Sequence, residues 1–519
     1  MGIAGSRNSV SKYRYSKTPG PRPSRLGLES RKLPPFENED SREPFSGMRN
    51  AKQKDTERHA CSHDLIHAGL EALDSVDVGV VVTDESGRLM LANHVAEQIL
   101  EAHDGIEVTS GGIVVIATES GFRPLRMPKR RASQLGIRDH QSTGDTEDVI
   151  RRGSEKRPVT VLIRSLNPSR VHNPTDPAFL IFLLDPERPT QTTEHGLREL
   201  YEFTVTETRL AHLLMAGKTF EQCCTQLGVR ASTIRMHLGN MFAKTGVRRQ
   251  GQLVSLLLRS LGMVRTTAVP NFSRKHVIGS ASQTGEEQQL DITAALSASL
   301  EALNWLNVGI IVLNRLGEIL FTNQRVAKIL IEKDGLEATP QGTLSTGQKR
   351  WPQSLSAVSR TFSPTDSVIA VPRTNGKRPL TLIVRSLNDA ARSAAEGPAA
   401  LVFVLDPELA TEATEARLQA LYEFTTCEAR LARLLMEGNT IDECCGPLSI
   451  CPSTARRHLA NIFSKTDVRH QGQLISLLLK SAGTVRVKND DCLTPSPIAA
   501  PRRIGMPFST SSLPHGIRP

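Results

Sequence analysis

Apolar positions along this chain alternate between two periods. In Val78–Thr83 and Arg88–Ala92, aliphatic and β-branched residues flank the polar stretch Asp84-Glu85-Ser86-Gly87, which predicts a hairpin. Val159–Ile163 and Phe179–Leu184 are further apolar runs of strand length. After Asn93 the period becomes helical, with Val95, Ala96, Ile99 and Leu100 on one face and Asn93 placed to cap. Beyond residue 200 the helical period takes over. Leu210, Leu213 and Leu214 fall between a cap expected at Thr206 and a terminating Gly217. Thr219 opens a short helix with Cys223, Cys224 and Leu227 inward, closed by Gly228. A third helix from about Ser232 to Thr245 turns Ile234, Leu238, Met241 and Phe242 inward. A last helix, Gln250–Arg259, holds Leu253, Val254, Leu256, Leu257 and Leu258.

The chain then repeats itself. Leu200–Arg265 aligns without a gap on Leu421–Arg486, 221 residues downstream. The repeat extends upstream: VVVTDESGRLMLANHVAEQIL at 80–100 parallels IIVLNRLGEILFTNQRVAKIL at 310–330, here at an offset of 230. RPVTVLIRSLN at 157–167 parallels RPLTLIVRSLN at 378–388, again at 221. The first copy therefore carries nine extra residues within the polar stretch 123–156, where loop closure tolerates insertion at little entropic cost.

The predicted organisation is multidomain α+β. A basic arm at 1–60, rich in Ser, Arg, Pro and Lys, reads as disordered, as does the tail 487–519. Between them lie an α+β module at 61–187, an all-α block at 198–262, a linker at 263–290, a second α+β module at 291–408 and a second all-α block at 419–483. At 519 residues the chain is too long for one core. A net charge of +10 fits a polyanionic partner. No apolar run approaches the roughly 20 residues needed to span a bilayer and no secretory segment opens the chain, so a cytoplasmic location is expected. The opening MGIAGS fits the degenerate myristoylation pattern and is read as chance. Eight cysteines form no disulfide framework; Cys223-Cys224 and Cys444-Cys445 lack metal-type spacing and read as small apolar residues of a helix. No phosphate-cradling loop, nucleophile elbow, metal cluster or carboxylate pair is present, so no enzyme and no cofactor are expected.

The chemistry lies in the all-α block. A short helix, a glycine turn and a long helix form a helix-turn-helix, and an α-helix fits the major groove, where polar side chains distinguish base pairs. The long helix carries Arg235, His237, Asn240 and Lys244 opposite its apolar face, and Thr233 near its N-terminus, where free N–H groups suit a phosphate. The second copy places Thr454, Arg456, Arg457, His458, Asn461 and Lys465 in the same pattern. Arg235, Arg456 and Arg457 are the candidates for base edges. His237 and His458 either meet phosphate or pack as ring donors. Glu207 and Glu428 are read as stabilising the block through a helix N-terminus or an ion pair.

This block resembles the C-terminal DNA-binding domain of the LuxR family. The family's opening segment is matched by Phe203-Thr204, Glu207, Leu210, Leu213-Leu214 and Gly217, and its recognition segment by Thr233, Ile234, His237, Asn240, Met241, Lys244, Gly246 and Val247. The second copy matches at Phe424-Thr425, Glu428, Leu431, Leu434-Leu435, Gly438, Thr454, His458, Asn461, Ile462, Lys465 and Val468. The resemblance implies a four-helix fold, with the third helix in the major groove and the fourth often pairing two such domains. The upstream segments VGVVVTDESGRLMLAN and VGIIVLNRLGEILFTN resemble a PAS domain, which implies small-ligand sensing or dimerisation. Departures sharpen the reading. Arg230 and Cys451 stand where the family has Ser, so Ser232 and Ser453 are expected to cap instead. Gly446-Pro447 should end the second copy's short helix early. Asp467 replaces Gly246.

Together these features predict a sequence-specific transcriptional regulator with two readers on double-stranded DNA, governed through its PAS-like modules. A small-molecule effector and RNA polymerase are the further partners to expect. The readers would pair through their fourth helices within one chain, or the chain would form a homodimer. The alternatives are a sensory or interaction protein with vestigial readers, and a nonspecific nucleoid-associated binder.

Overall fold

The computed structural model describes residues 64–118, 121–128, 146–154, 156–166, 176–188, 194–265, 298–346, 366–387, 397–409 and 415–485, Ile66, Met263 excepted. The arm 1–60, the tail 487–519 and nearly all of the linker 263–290 lie outside the described residues. The described part is mixed α/β with antiparallel sheets, and none of its helices is long and apolar enough to cross a membrane.

In the first half, β1 (Gly79–Thr83), β2 (Leu89–Ala92), β6 (Thr146–Ile150), β7 (Val159–Ser165) and β8 (Phe179–Leu184) form one antiparallel sheet, ordered β2-β1-β8-β7-β6. Helix α1 (His94–Glu101) packs Val95, Ala96, Ile99 and Leu100 on one face, against Val81, Val161, Ile181 and Leu183. The structure covers both faces: Val80, Val82, Leu180, Phe182 and Leu184 point the other way, into a core shared with the all-α blocks. The sequence FLIFLL of β8 follows from this, since a strand buried on both faces has no polar alternation. A smaller sheet, β3 (Ile106–Val108), β4 (Val114–Thr118) and β5 (Gly121–Pro124), sits beside it.

The second half repeats the order. β9 (Gly309–Asn314), β10 (Ile319–Thr322), β13 (Ser367–Val371), β14 (Leu380–Ser386) and β15 (Pro398–Leu405) are arranged β10-β9-β15-β14-β13, with α7 (Gln324–Glu332) against β9 and a small β11 (Glu337–Ala338), β12 (Leu344–Ser345) pair. The positions equivalent to β5 lie outside the described residues.

Asn93 does more than cap. Its Oδ1 accepts from Ala96 N at 3.0 Å and Val80 N at 2.8 Å, and its Nδ2 donates to Leu73 O and Val78 O, both at 2.9 Å. Asn323 makes the same four contacts, with Val326, Ile310, Leu303 and Val308. One fully buried amide thus ties strand, helix and the preceding helical segment together with every polar atom satisfied.

Each all-α block has five helices, one more than the resemblance implies: α2 (Glu194–Tyr201), α3 (Val205–Met215), α4 (Phe220–Leu227), α5 (Ala231–Thr245) and α6 (Gln250–Leu261), then α8 (Glu415–Tyr422), α9 (Thr426–Met436), α10 (Ile441–Leu448), α11 (Pro452–Thr466) and α12 (Gln471–Ala482). The cap of α3 is Thr204, not Thr206, because Thr204 forms a reciprocal capping box with Glu207. Ser232 and Ser453 do not cap; they lie inside their helices, behind Arg230 and Cys451, neither of which makes a side-chain cap. Helix α10 does not end early. Pro447 stands in its last turn, so only one intrahelical donor is missing, and the helix runs the same eight residues as α4. Asp467 takes the left-handed conformation of Gly246, with φ 48° against 67°, so the turn survives the substitution.

The two halves are clasped. α6 packs on α12, where glycines permit close approach: a Cβ on Gly251 would stand 3.1 Å from Ile475 Cδ1. Val254, Leu257, Ile475 and Leu478 are fully buried around them. Ser255 Oγ donates to Met436 O and Ser476 Oγ to Met215 O, each at 2.7 Å, a reciprocal pair across the seam. The sheets dock crosswise as well. Arg157 of the first half donates to Asp467 O at the end of α11 (3.0 Å), and Arg378 of the second to Thr245 O at the end of α5 (2.8 Å).

Candidate nucleic-acid interface

Helix α5 follows α4 through Gly228, whose φ of 64° makes the reversal that an L-residue resists. Ile234, Leu238 and Met241 bury one face of α5. The opposite face leaves Arg235, Met236, Asn240 and Lys244 exposed. No acid occurs between Gly228 and Arg249. Helix α11 buries Ala455, Leu459 and Ile462 and exposes Arg456, Arg457, Asn461 and Lys465. Thr233, His237, Thr454 and His458 are half-buried at the edge of each face. All eleven predicted residues therefore lie along these two helices.

Their local engagement differs. Arg235 lies over the Phe220 ring, 5.4 Å from its centroid, a cation–π contact that limits its conformers. In the second copy Ile441 replaces Phe220, and Arg456 instead stands 3.9 Å from Asp442 on the open surface. Lys244 and Lys465 are tied inward: Lys244 Nζ meets Glu207 Oε2 at 2.7 Å and Glu202 O at 2.8 Å, and Lys465 Nζ meets Glu428 Oε2 at 2.8 Å and Glu423 O at 2.7 Å. Burial pushes the Glu428 carboxyl up, but Lys465 and the Thr425 cap outweigh it and hold the group down at about 2. Both glutamates thus serve as N-terminal box residues and as ion-pair partners at once. His237 and His458 each have Nδ1 shut from solvent with no partner among the described residues, so Nε2 is the ring nitrogen open to an outside partner.

Several residues of this surface escaped the sequence reading. Arg230 precedes α5, and Arg248 and Arg249 follow it, all exposed; Arg469 and His470 follow α11. The run VRRQ was the visible signal. Met236 is 55% exposed, on the face where apolar residues should be scarce. At the start of α11 the Cys451 thiol is drawn down to about 6 by the Ser453 and Thr454 hydroxyls, where the first copy has Arg230. Cys223 and Cys444 are buried, and that burial raises their thiols to about 11 and about 12.

No family model matches the chain, and no curated protein does. Among solved structures, the chain is similar to the phage VqmA–DPO complex at 16% identity, over 37% of this chain and 89% of that one, with a TM-score of 0.17. The Vibrio cholerae VqmA dimer without target DNA, described as a LuxR-type receptor, matches at 15%, over 35% and 86%, with a TM-score of 0.16. The E. coli DhaR(N)–DhaL complex matches at 11%, over 70% and 91%, with a TM-score of 0.17. Scores this low leave function to the site itself.

Proposed function

We propose that this chain is a sequence-specific DNA-binding transcriptional regulator, with two LuxR-type helix-turn-helix readers alternating with two PAS-like modules. The observation that carries the reading is the pair of acid-poor faces on α5 and α11, borne on blocks clasped through α6 and α12. Readers of this kind grip two half-sites about one helical turn apart, for which a homodimer is the usual device. Here the reciprocal Ser255–Met436 and Ser476–Met215 bonds support pairing within one chain. Arg235, Arg456 and Arg457 would read base edges, and Met236 would meet a thymine methyl. His237, His458, Thr233, Thr454, Asn240 and Asn461 would set register on phosphates, joined by Arg248, Arg249 and Arg469. Lys244 and Lys465, already held by glutamates, would present to phosphate only their remaining N–H. The crossed docking onto the sheets supports control of the readers by the PAS-like modules. A cytoplasmic location, RNA polymerase as partner and the lack of catalytic activity belong to the same proposal.

The test is selection of bound duplexes from a random pool, followed by gel shifts with nonspecific competitor. The expected result is one enriched site with two unequal half-sites, since Arg235-Met236 and Arg456-Arg457 differ. Arg456→Ala should cost ~1–3 kcal/mol at the selected site and relax one half-site. A pool without enrichment would reject the regulator in favour of an interaction protein, or of a nonspecific binder if affinity falls steeply with salt.

A further inference from the structure

The crossed docking leaves two clefts at positions related by the repeat. One is an open cleft between α6, the second sheet and the α9–α10 turn, with a volume of about 730 Å³. Its counterpart beside α12 has only about 190 Å³. They differ most at one position. In the small cleft Lys480 Nζ donates to Arg188 O at 3.0 Å. In the large one Arg259 takes that place. It is 9% exposed and makes no hydrogen bond or ion pair among the described residues. The carboxylates around it are already engaged elsewhere: Asp406 by Arg373 at 2.8 Å, Glu437 by Arg433 at 2.8 Å, and Glu408 by Arg378 at 3.8 Å.

Arg259 has a buried stem, and its guanidinium nitrogens open onto the cleft, where water or a ligand supplies the acceptors that Lys480 finds in Arg188 O. We propose that the large cleft binds a small polar carboxylate, its acid group seated on Arg259. The volume suits a metabolite-sized ligand. Glu437 and Glu443 line this cleft where the small one has Ala216 and Gln222, and their second carboxylate oxygens, not taken by Arg433 and Thr440, offer acceptors to hydroxyl or amino groups. The ligand class is therefore a hydroxy or amino acid rather than a plain fatty acid. Burial also holds the Arg259 guanidinium below its usual range, which an anion would reverse. Because both all-α blocks wall the cleft, occupancy would set how they sit on the second sheet. That consequence rests on the regulator reading; binding itself does not.

The test is calorimetric titration of the full chain with citrate and with L-glutamate, without DNA, at ionic strength fixed by sodium chloride. One saturable site per chain is expected for at least one of the two. Arg259→Met should weaken it at least tenfold, while Lys480→Met leaves it within twofold. Arg248→Glu, at an exposed position of the same wall, should weaken it at least threefold, and keeps the test open should the Arg259 variant not fold. The proposal is overturned if neither acid saturates, or if binding survives both Arg259→Met and Arg248→Glu. Either result leaves the DNA test to be judged separately.

Discussion

Asp74 is a buried carboxylate whose removal should stabilise the protein. It is 2% exposed and its Oδ1 accepts from His94 N at 2.7 Å. Burial raises its pKa to about 6, only partly offset by the His94 N–H. The matching position in the second half is Asn304, whose Oδ1 accepts from Gln324 N at 2.9 Å. The fold therefore already accommodates an amide there. With a folded pKa above the ordinary 3.8, the unfolded chain loses its proton first as pH rises. Between about pH 4 and pH 6 the folded state binds more protons, so stability falls across that window. Above it the full penalty applies, ~3 kcal/mol for a difference of this size. Asp74→Asn removes the penalty and keeps the acceptor. Urea denaturation of both proteins at pH 4, 5, 6 and 7.5 should show near-equal stability at pH 4 and a growing advantage for the variant above it. A variant less stable at pH 7.5, or a difference independent of pH, would refute the reasoning.

Three further outcomes follow from the same geometry. Asn93→Ala leaves two donors and two acceptors unpaired in the interior and should cost ~3–5 kcal/mol in urea melts, with Asn323→Ala close to it. Glu428→Gln should be less stable than the parent at pH 7, and the gap should close as pH falls through the ordinary 4.5 toward about 2, because a depressed carboxyl gives its stability only above that range. Ile475→Asp, at a fully buried position of the α6–α12 seam, should separate the blocks, seen as an increased radius of gyration by X-ray scattering, and should abolish cooperative binding to paired half-sites.

Much of this architecture was legible along the chain, for definable reasons. Strands and helices with strong periods fell where expected: Phe179–Leu184 matches to the residue, and Asn93 caps its helix. The other half of the Asn93 role was not legible, because Leu73 O and Val78 O reach it only through tertiary packing. The α3 cap was readable and misplaced. Thr204 and Thr206 both precede an apolar run, but only Thr204 has an acid three residues on. Helix α2 went unseen although Leu197, Leu200 and Tyr201 recur at helical spacing. Pro447 shows propensity overridden, since α10 is fixed by the Thr440–Glu443 box at one end and a left-handed Ser449 at the other. The crossed docking through Arg157 and Arg378 depends on contacts some three hundred and some hundred and thirty residues apart, 310 and 133 respectively, which no local pattern encodes. At the candidate interface, the exposed cations were readable from helical phase, whereas the inward ties of Lys244 and Lys465 required the coordinates.

On the proposed function, one chain would supply both readers to one operator. The most direct measurement is the mass of the complex between the full chain and a duplex bearing the selected site, by analytical ultracentrifugation. A single chain per duplex is expected at saturation. Two chains per duplex, placing four readers on the site, would contradict it.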